Sequence, residues 1–290
     1  MRFAVLSDIH GNLPALEAVI EDFTERGFDK LILAGDYIGG PHPVESINML
    51  LAYDPVMISG NSDSNLLRLR NNKAPKEWYE SLQFSLLRWA NNNVDNQTIE
   101  ILQSLPEQRS IPLSGSNAIR VVHGSPRNQA ESIFPESDPE TLEIAFSKIK
   151  EQVLICGHTH VPWKIEQNGR LALNPGAVGG PLNGQVCAHY AILDRDRDCW
   201  DVEHRSVTYD ISLIRKAFDE SGLLHEGGAL ARAFLRSIET GTDVALEFLK
   251  HAYDLADDAG FKNVSVVPDD IWEQADKTFD WESIIDPCTP

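Results

Sequence analysis

Positive charge is what this chain of 290 residues is short of: 25 Lys and Arg stand against 44 Asp and Glu, a formal net charge of −19. A broad basic surface for a nucleic-acid backbone is thereby excluded, so no nucleic-acid duplex is expected as a partner. An anionic membrane surface is disfavoured on the same ground. Long apolar runs are missing too. No stretch approaches the roughly 20 residues that span a bilayer. The opening "MRFAVLSD" offers only Phe3 to Leu6 as an apolar run, too short for the core of a signal peptide. Cysteine is scarce and scattered at Cys156, Cys187, Cys199 and Cys288, with no C-x-x-C pair. Zinc-ribbon and redox-motif readings therefore fail, and reduced thiols in a cytoplasmic protein are expected. Internal repeats and low-complexity linkers are also absent.

What is present is an ordinary globular composition, 42% hydrophobic and 24% charged, in a chain long enough for one large domain with an appendage or two small ones. Short apolar runs alternate with amphipathic stretches. "FAVLS", "KLILAG" and "PVMISG" read as strands, separated by helices in "LPALEAVIEDFTERGF" and "PVESINMLLAY". This β-α-β-α-β opening predicts parallel strands packed between helices. Residues 64–105 read as helical in two or three pieces. In "EWYESLQFSLLRWANN", the clearest of them, Trp78, Leu82, Leu86 and Trp89 are spaced to face a core, with an exposed aromatic platform as the alternative. Strands resume with "AIRVVHG", "QVLICGH", "VPWKIEQ" and "RLALNPG", and "QNGR" predicts a hairpin turn. "CAHYAILD" and "CWDVEHRSV" follow around a charged turn at Asp194 to Asp198. From "YDISLIRKAFDESG" onward the pattern is helical. Residues 241–290 carry 12 acidic and 3 basic side chains, as a solvated helix face or a loose tail would.

The polar residues sit in telling places. "FAVLSDIH" ends in Asp8 and His10, "KLILAGD" in Asp36, "PVMISGN" in Asn61, "AIRVVH" in His123, and "QVLICGHTH" in His158 and His160. Ligand crevices of open α/β sheets lie outside the carboxyl ends of the strands. In extended backbone, residues i and i+2 point to one side, so Asp8 with His10, and His158 with His160, are expected to converge. Two carboxylates, four imidazoles and an amide oxygen are too many donors for one ion and suit two ions sharing a carboxylate. Oxygen and nitrogen donors without thiolate fit manganese or iron, with zinc as a further option, better than magnesium or calcium. Two ions about 3.5–4 Å apart can activate a bridging water and clamp phosphoryl oxygens during in-line displacement. His189, His204, His225 and His251 are assigned to ordinary structural or surface roles.

Taken together, "SDIHGN" (7–12), "AGDYIGG" (34–40), "SGNSD" (59–63), "VVHGSP" (121–126) and "CGHTH" (156–160) resemble the ordered blocks of calcineurin-like metallophosphoesterases. "LNPGAVGGP" (173–181) and "AHYAILD" (188–194) resemble the small prokaryotic, phosphodiesterase-like branch. The resemblance implies an α/β fold, a four-layer α-β-β-α sandwich over residues 1–208, followed by an acidic, mainly helical C-terminal extension over 209–290. It implies that Asp8, His10, Asp36 and His160 hold a first metal. Asp36 as the bridge, with Asn61, His123 and His158, would hold a second, and Asp36, Asn61 and His123 would carry the catalysis. Asn12 would support or position a loop.

The resemblance also isolates a departure. Many members carry a histidine directly after the asparagine, thought to help protonate the leaving oxygen; here the residue is Ser62, a poor general acid. Asp63 is expected to support the loop or orient His123. Arg127 can reach a substrate phosphate or form a surface salt bridge, and His42 can supply a proton or simply face water, the latter being favoured. Asn174 is expected to shape a tight turn near the metals.

The expected function is metal-dependent hydrolysis of phosphodiester or phosphoanhydride bonds in a small, nucleotide-like phosphate ester. A phosphomonoesterase or protein serine/threonine phosphatase is the alternative, and a non-catalytic metal-bound scaffold a third reading. The acidic helices have three open roles: covering a sheet edge, shaping the substrate cleft, or joining a homo-oligomer. Residues after about 240 are not expected to serve the chemistry.

Overall fold

Strand β1 (Arg2–Leu6) shows how the layers arise. In the computed structural model, which describes residues 1–113, 118–134, 139–197 and 199–282, Phe3 and Val5 face one side of their sheet and Ala4 and Leu6 the other. Both faces are buried, as expected for a strand covered on two sides. β1 pairs in parallel with β2 (Lys30–Leu33), which pairs in parallel with β3 (Val56–Met57). The connections are α1 (Leu13–Arg26) and α2 (Pro43–Leu51). On the other edge β1 pairs antiparallel with β9 (Ala188–Asp196), and β9 with β10 (Cys199–Val207). The first sheet therefore runs β10-β9-β1-β2-β3.

The second sheet runs β4-β5-β6-β8-β7, built from β4 (Gln108–Pro112), β5 (Ala118–Val122), β6 (Val153–Ile155), β7 (Trp163–Gln167) and β8 (Arg170–Asn174). Its β7–β8 hairpin turns at Asn168 and Gly169, both at positive φ, as the two-residue primed turn expected in "QNGR" requires. Phe3, Val5 and Ile32 of the first sheet share one apolar cluster with Val121, Ile155 and Leu173 of the second, so the sheets are stacked face to face. The outer face of the first sheet is covered by helices α1, α2, α3 (Asn61–Arg70), α5 (Ser85–Asn93) and α6 (Asn96–Ser104). The outer face of the second is covered by α7 (Pro139–Ser147). The result is the four-layer sandwich that the resemblance implied.

Two expectations need correction or completion. The stretch "EWYESLQFSLLRWANN" is not one helix. It breaks into α4 (Glu77–Glu80), a tight turn at Leu82–Phe84 and α5, because Ser81 adopts extended backbone (ψ 145°) and the Leu82 N–H is taken by the Asp269 carboxylate at 2.8 Å. Trp89 enters the core as expected, whereas Trp78, Leu82 and Leu86 stay half-buried.

The region after residue 208 is helical: α8 (Ile211–Glu220), α9 (Leu223–Glu226), α10 (Gly228–Thr240), α11 (Val244–Asp258) and α12 (Asp269–Thr278). It is not a free appendage. Ile214, Phe218, Leu235 and Ile238 join the core outside the first sheet, while Phe248, Trp272 and Ala275 build a further cluster among α10, α11 and α12. Asp254, Asp257, Asp258, Asp269 and Asp270 are exposed, so much of the acidic excess is a solvated face. Residues 283–290, with Cys288, and Asp198 of the charged turn lie outside the described residues. Among the described residues no helix is long and apolar enough to cross a membrane.

Candidate metal centre

The loops at the strand ends converge by a different route from the alternation of extended backbone. Asp8, His10, Asp36, His158 and His160 all have positive φ, between 46° and 68°. They sit in left-handed turns, which is costly for residues with a Cβ and is tolerated where surrounding structure enforces it. The enforcement is visible. Asp8, His10 and Gly11 donate their N–H groups to the carbonyls of Gly35, Asp36 and Tyr37, zipping the loop after β1 to the loop after β2. The fully buried Asp63 carboxylate accepts from the N–H groups of Asp36, Tyr37 and Gly60 at 2.9–3.0 Å, tying that loop to the start of α3. Burial, with the Asp36 carboxylate nearby, pushes Asp63 up to about 7. Asp63 thus supports the loop, as the first of its two expected roles required; His123 is oriented instead by the Ala34 carbonyl. Gly60 has no substitute here, since a Cβ on it would lie 2.0 Å from Asp36 Oδ1.

Asn174 performs the matching task on the other sheet. Its amide donates to the Gly157 carbonyl (2.6 Å) and Thr159 Oγ1 (3.1 Å) and accepts from the Gly176 N–H, bracing the loop that carries His158 and His160. Asn12 caps α1 through Ala15 N–H and donates to the Gly179 carbonyl and the Tyr209 hydroxyl, so it positions loops as expected.

The donor atoms form two groups that share a carboxylate. One holds Asp8, His10 and His160, the other Asp8, Asp36 and His123, with the ligand atoms of each group within 4.8 Å of one another. Asn61 Oδ1 adjoins the second group, 3.0 Å from His123 Nε2. Asp36 Oδ2 lies 3.4 Å from His123 Nε2 and 3.8 Å from His10 Nε2. Asp8 Oδ1 lies 3.3 Å from His160 Nε2 and 3.9 Å from both His10 and His123 Nε2. Asp36 is therefore not alone between the groups: Asp8 occupies an equivalent place.

Three features fit this pocket to cations. His10, His123 and His160 each spend Nδ1–H on a backbone carbonyl, of Ile38, Ala34 and Gly180 at 2.8, 2.8 and 2.5 Å. That is the outer hydrogen bond which fixes the tautomer of metal-binding imidazoles and leaves Nε2 as a lone pair. The Nε2 atoms of His10 and His160 then face each other at 3.2 Å, a repulsive contact unless a proton or cation lies between them. Asp8 Oδ1, finally, is buried and has no hydrogen-bond donor among the described residues, an expensive state for a carboxylate oxygen without a positive partner.

Electrostatics agree. Burial opposes charging of His123, but the Asp36 and Asp8 carboxylates outweigh it and lift the imidazole to about 10. Burial would raise Asp8, yet His160 and His123 hold it down at about 2. The raised His123 pKa has a definite sign. Without metal, the imidazolium contributes stability that is complete below its unfolded value near 6.5 and is lost as pH rises through about 10. A metal ion must displace that proton. Apparent manganese affinity of the metal-free protein is therefore expected to rise between pH 6.5 and 8.5, by up to about tenfold per unit for one displaced proton. Calorimetry in buffers of different ionisation enthalpy measures both affinity and proton release; affinity that falls with pH over this window would contradict the assignment.

The remaining expected residues are placed as follows. The His158 ring packs edge-on against His123 with centroids 5.3 Å apart, and its backbone N–H donates to Asp8 Oδ2, but its imidazole belongs to neither donor group. Ser62 does not face outward: its hydroxyl donates to Asp36 Oδ2 at 2.7 Å and its N–H to Asp36 Oδ1 at 2.9 Å. Arg127 is paired with Glu131, the salt-bridge reading. His42 is not the water-exposed loop residue favoured from sequence. It is half-buried at the start of α2, with Nδ1 enclosed and unpartnered. Phe234 of α10, which no motif marked, lies edge-on to His10 at 5.3 Å. Only the packing of the distant extension reveals it.

The fold and the site together define the class. The chain belongs to the calcineurin-like phosphoesterase superfamily, whose domain matches residues 1–198. It is accordingly a metallophosphoesterase, a hydrolase of phosphate esters that works with divalent metal ions. The uncharacterized protein MJ0912 of Methanocaldococcus jannaschii is 28% identical over 235 residues, covering 75% of this chain and 90% of its own length. Phosphodiesterase YfcE of Escherichia coli is 27% identical over 208 residues, 68% of this chain and 89% of its own. The crystal structure of a metallophosphoesterase from Sphaerobacter thermophilus matches with a TM-score of 0.68 at 27% identity, covering 83% of this chain and 99% of that one. The uncovered share is smaller than the region after residue 208, so part of the helical extension is common to both.

Proposed function

We propose that the protein is a dinuclear phosphodiesterase acting on diester or anhydride bonds of a small, nucleotide-like phosphate ester. The observation that carries this reading is the pair of donor groups sharing a carboxylate, with Nε2 lone pairs turned inward. Asp8, His10 and His160 would hold one ion; Asp36, His123 and Asn61 would hold the other, with Asp8 and Asp36 between them and His158 alongside. Oxygen and imidazole donors favour manganese or iron, with zinc as a third option. When bound, such ions supply Lewis-acid polarisation of phosphoryl oxygens and water activation near neutral pH. The chain contributes orientation: Asp63, Asn174 and Asn12 hold the ligand loops, and Ser62 anchors Asp36. No imidazole stands at position 62 to protonate a departing oxygen, which favours substrates whose leaving group is already acidic. The name of the phosphodiesterase relative points the same way. The free Cys156, Cys187 and Cys199 support a cytoplasmic location.

The test is metal analysis of the purified protein followed by turnover of bis-p-nitrophenyl phosphate before and after chelation. About two transition-metal ions per chain, with turnover lost on chelation and restored by manganese, is the expected result. Undiminished diester turnover in metal-free protein would sink the reading.

A further inference from the structure

Beside the metal centre opens an apolar cleft of about 240 Å³. Its floor is Ser62 and Asn65 of α3, its near wall Trp78, Phe84 and Leu86, and its far wall comes from the extension, Leu230 of α10 and Leu249 of α11. We propose that this cleft binds a flat aromatic group, an aryl ring or a nucleobase-like ring system, esterified to the phosphoryl group at the metal centre. The occupant's phosphoryl end rests on the function proposed above; the aromatic end rests on the cleft itself.

Three observations select that occupant. The cleft adjoins the centre. Ser62, which lines it, is hydrogen-bonded to Asp36, and Gly39, which also lines it, lies so close to His10 that a Cβ there would be 2.9 Å from Nδ1. Ser62 and Gly39 are thus shared neighbours of the cleft and of Asp36 and His10. Size is the second. An enclosed apolar cavity of about 150 Å³ accepts benzene, so about 240 Å³ suits one or two fused rings and is small for a peptide segment. The third is the wall. Trp78 stacks on Phe84 (centroids 5.2 Å, interplanar 22°) and carries the Arg68 guanidinium 5.0 Å from its ring centroid. With its ring covered by Phe84 and Arg68, the braced indole gives the cleft a rigid aromatic edge, against which a ring can pack edge to face. Every residue from Ser81 to Arg88 is half-buried, with Leu82, Leu86 and Leu87 packed on the core clusters behind the wall.

The cleft also gives the extension a task. Leu230 lies one helical turn before Phe234, the residue packed on His10, so α10 touches both the centre and the cleft. Gln83 ties the two walls together, donating to the Tyr253 hydroxyl and accepting from the Val267 N–H.

The experiment titrates the manganese-loaded full-length protein with phenylphosphonate and with methylphosphonate, neither of which is hydrolysed, and follows binding by calorimetry. Phenylphosphonate is expected to bind about ten- to fiftyfold more tightly, as burial of one ring's apolar surface implies. Leu230→Trp, which fills the cleft, and Trp78→Ala, which removes its wall, should each reduce that ratio to within about threefold. Where Leu230→Trp fails to fold, Leu249→Trp fills the same space from α11. Equal affinities in the wild type, or a ratio that survives in the folded variants, would overturn the proposal. Diester turnover is read separately: selective aryl binding without hydrolysis of any diester supports the cleft and rejects the proposed function.

Discussion

Replacing Asp36 with alanine is expected to lower manganese-supported diester hydrolysis at least about a thousandfold, roughly 4 kcal/mol in the barrier. The reason is positional. Asp36 Oδ2 lies within 3.8 Å of both His123 and His10 Nε2, so its loss removes a member of one donor group and an oxygen that faces a histidine of the other. Both hydrogen bonds that fix Ser62 are lost with it. Metal content should fall to one ion or fewer per chain. Because Asp8 Oδ1 holds an equivalent position, Asp8→Ala is expected to cost as much within about threefold, which a single bridging carboxylate would not predict. His160→Ala removes a donor from one group only. Its cost should be smaller, about ten- to a hundredfold, on the scale of losing a residue that orients a ligand, because the other donor group stays whole, and excess manganese should recover part of it. Metal analysis alongside kcat/KM separates these cases. An Asp36→Ala protein with two ions and activity within tenfold of wild type would remove Asp36 from the metal centre.

A second large effect concerns the leaving group. General acids typically contribute about 10²–10⁴-fold, and the position where the family resemblance would place an imidazole is held by Ser62. The structure sharpens the point, since the serine proton is committed to Asp36 at 2.7 Å. The enzyme is therefore expected to cleave an aryl diester or a dinucleoside polyphosphate at least about 10²-fold more efficiently than a phosphoserine peptide, in kcat/KM. Ser62→His should flatten the dependence on leaving-group acidity while lowering the best rates, because the new side chain forfeits the anchor on Asp36. Wild-type cleavage of the phosphoserine peptide as efficient as that of the aryl diester would move the protein to the phosphomonoesterase reading.

Much of this protein was legible one residue at a time. Strand β1 and the helices α1 and α2 follow from local periodicity, because alternation and helical spacing are set by neighbours in the chain. Asp8, His10, Asp36, Asn61, His123, His158 and His160 stood out as candidates because each lies within five residues of an apolar strand's end, and the ends of parallel strands meet at one edge. What the sequence could not decide is how those ends meet. The ligands sit in left-handed turns held by hydrogen bonds between loops far apart in sequence, such as His10 N–H to the Asp36 carbonyl. Such bonds have no local signal. The same holds for the break at Ser81, where a carboxylate 187 positions away takes the Leu82 N–H from the helix. Ser62 was conspicuous by identity, but its bond to Asp36 depends on the Gly60 backbone approaching closer than any side chain would permit. The chemistry of this protein was determined by which residues end its strands. Whether Asp8 shares the centre with Asp36, and whether a helix from the extension closes over His10, was decided only in three dimensions, where packing between segments distant in the chain outweighs local preference.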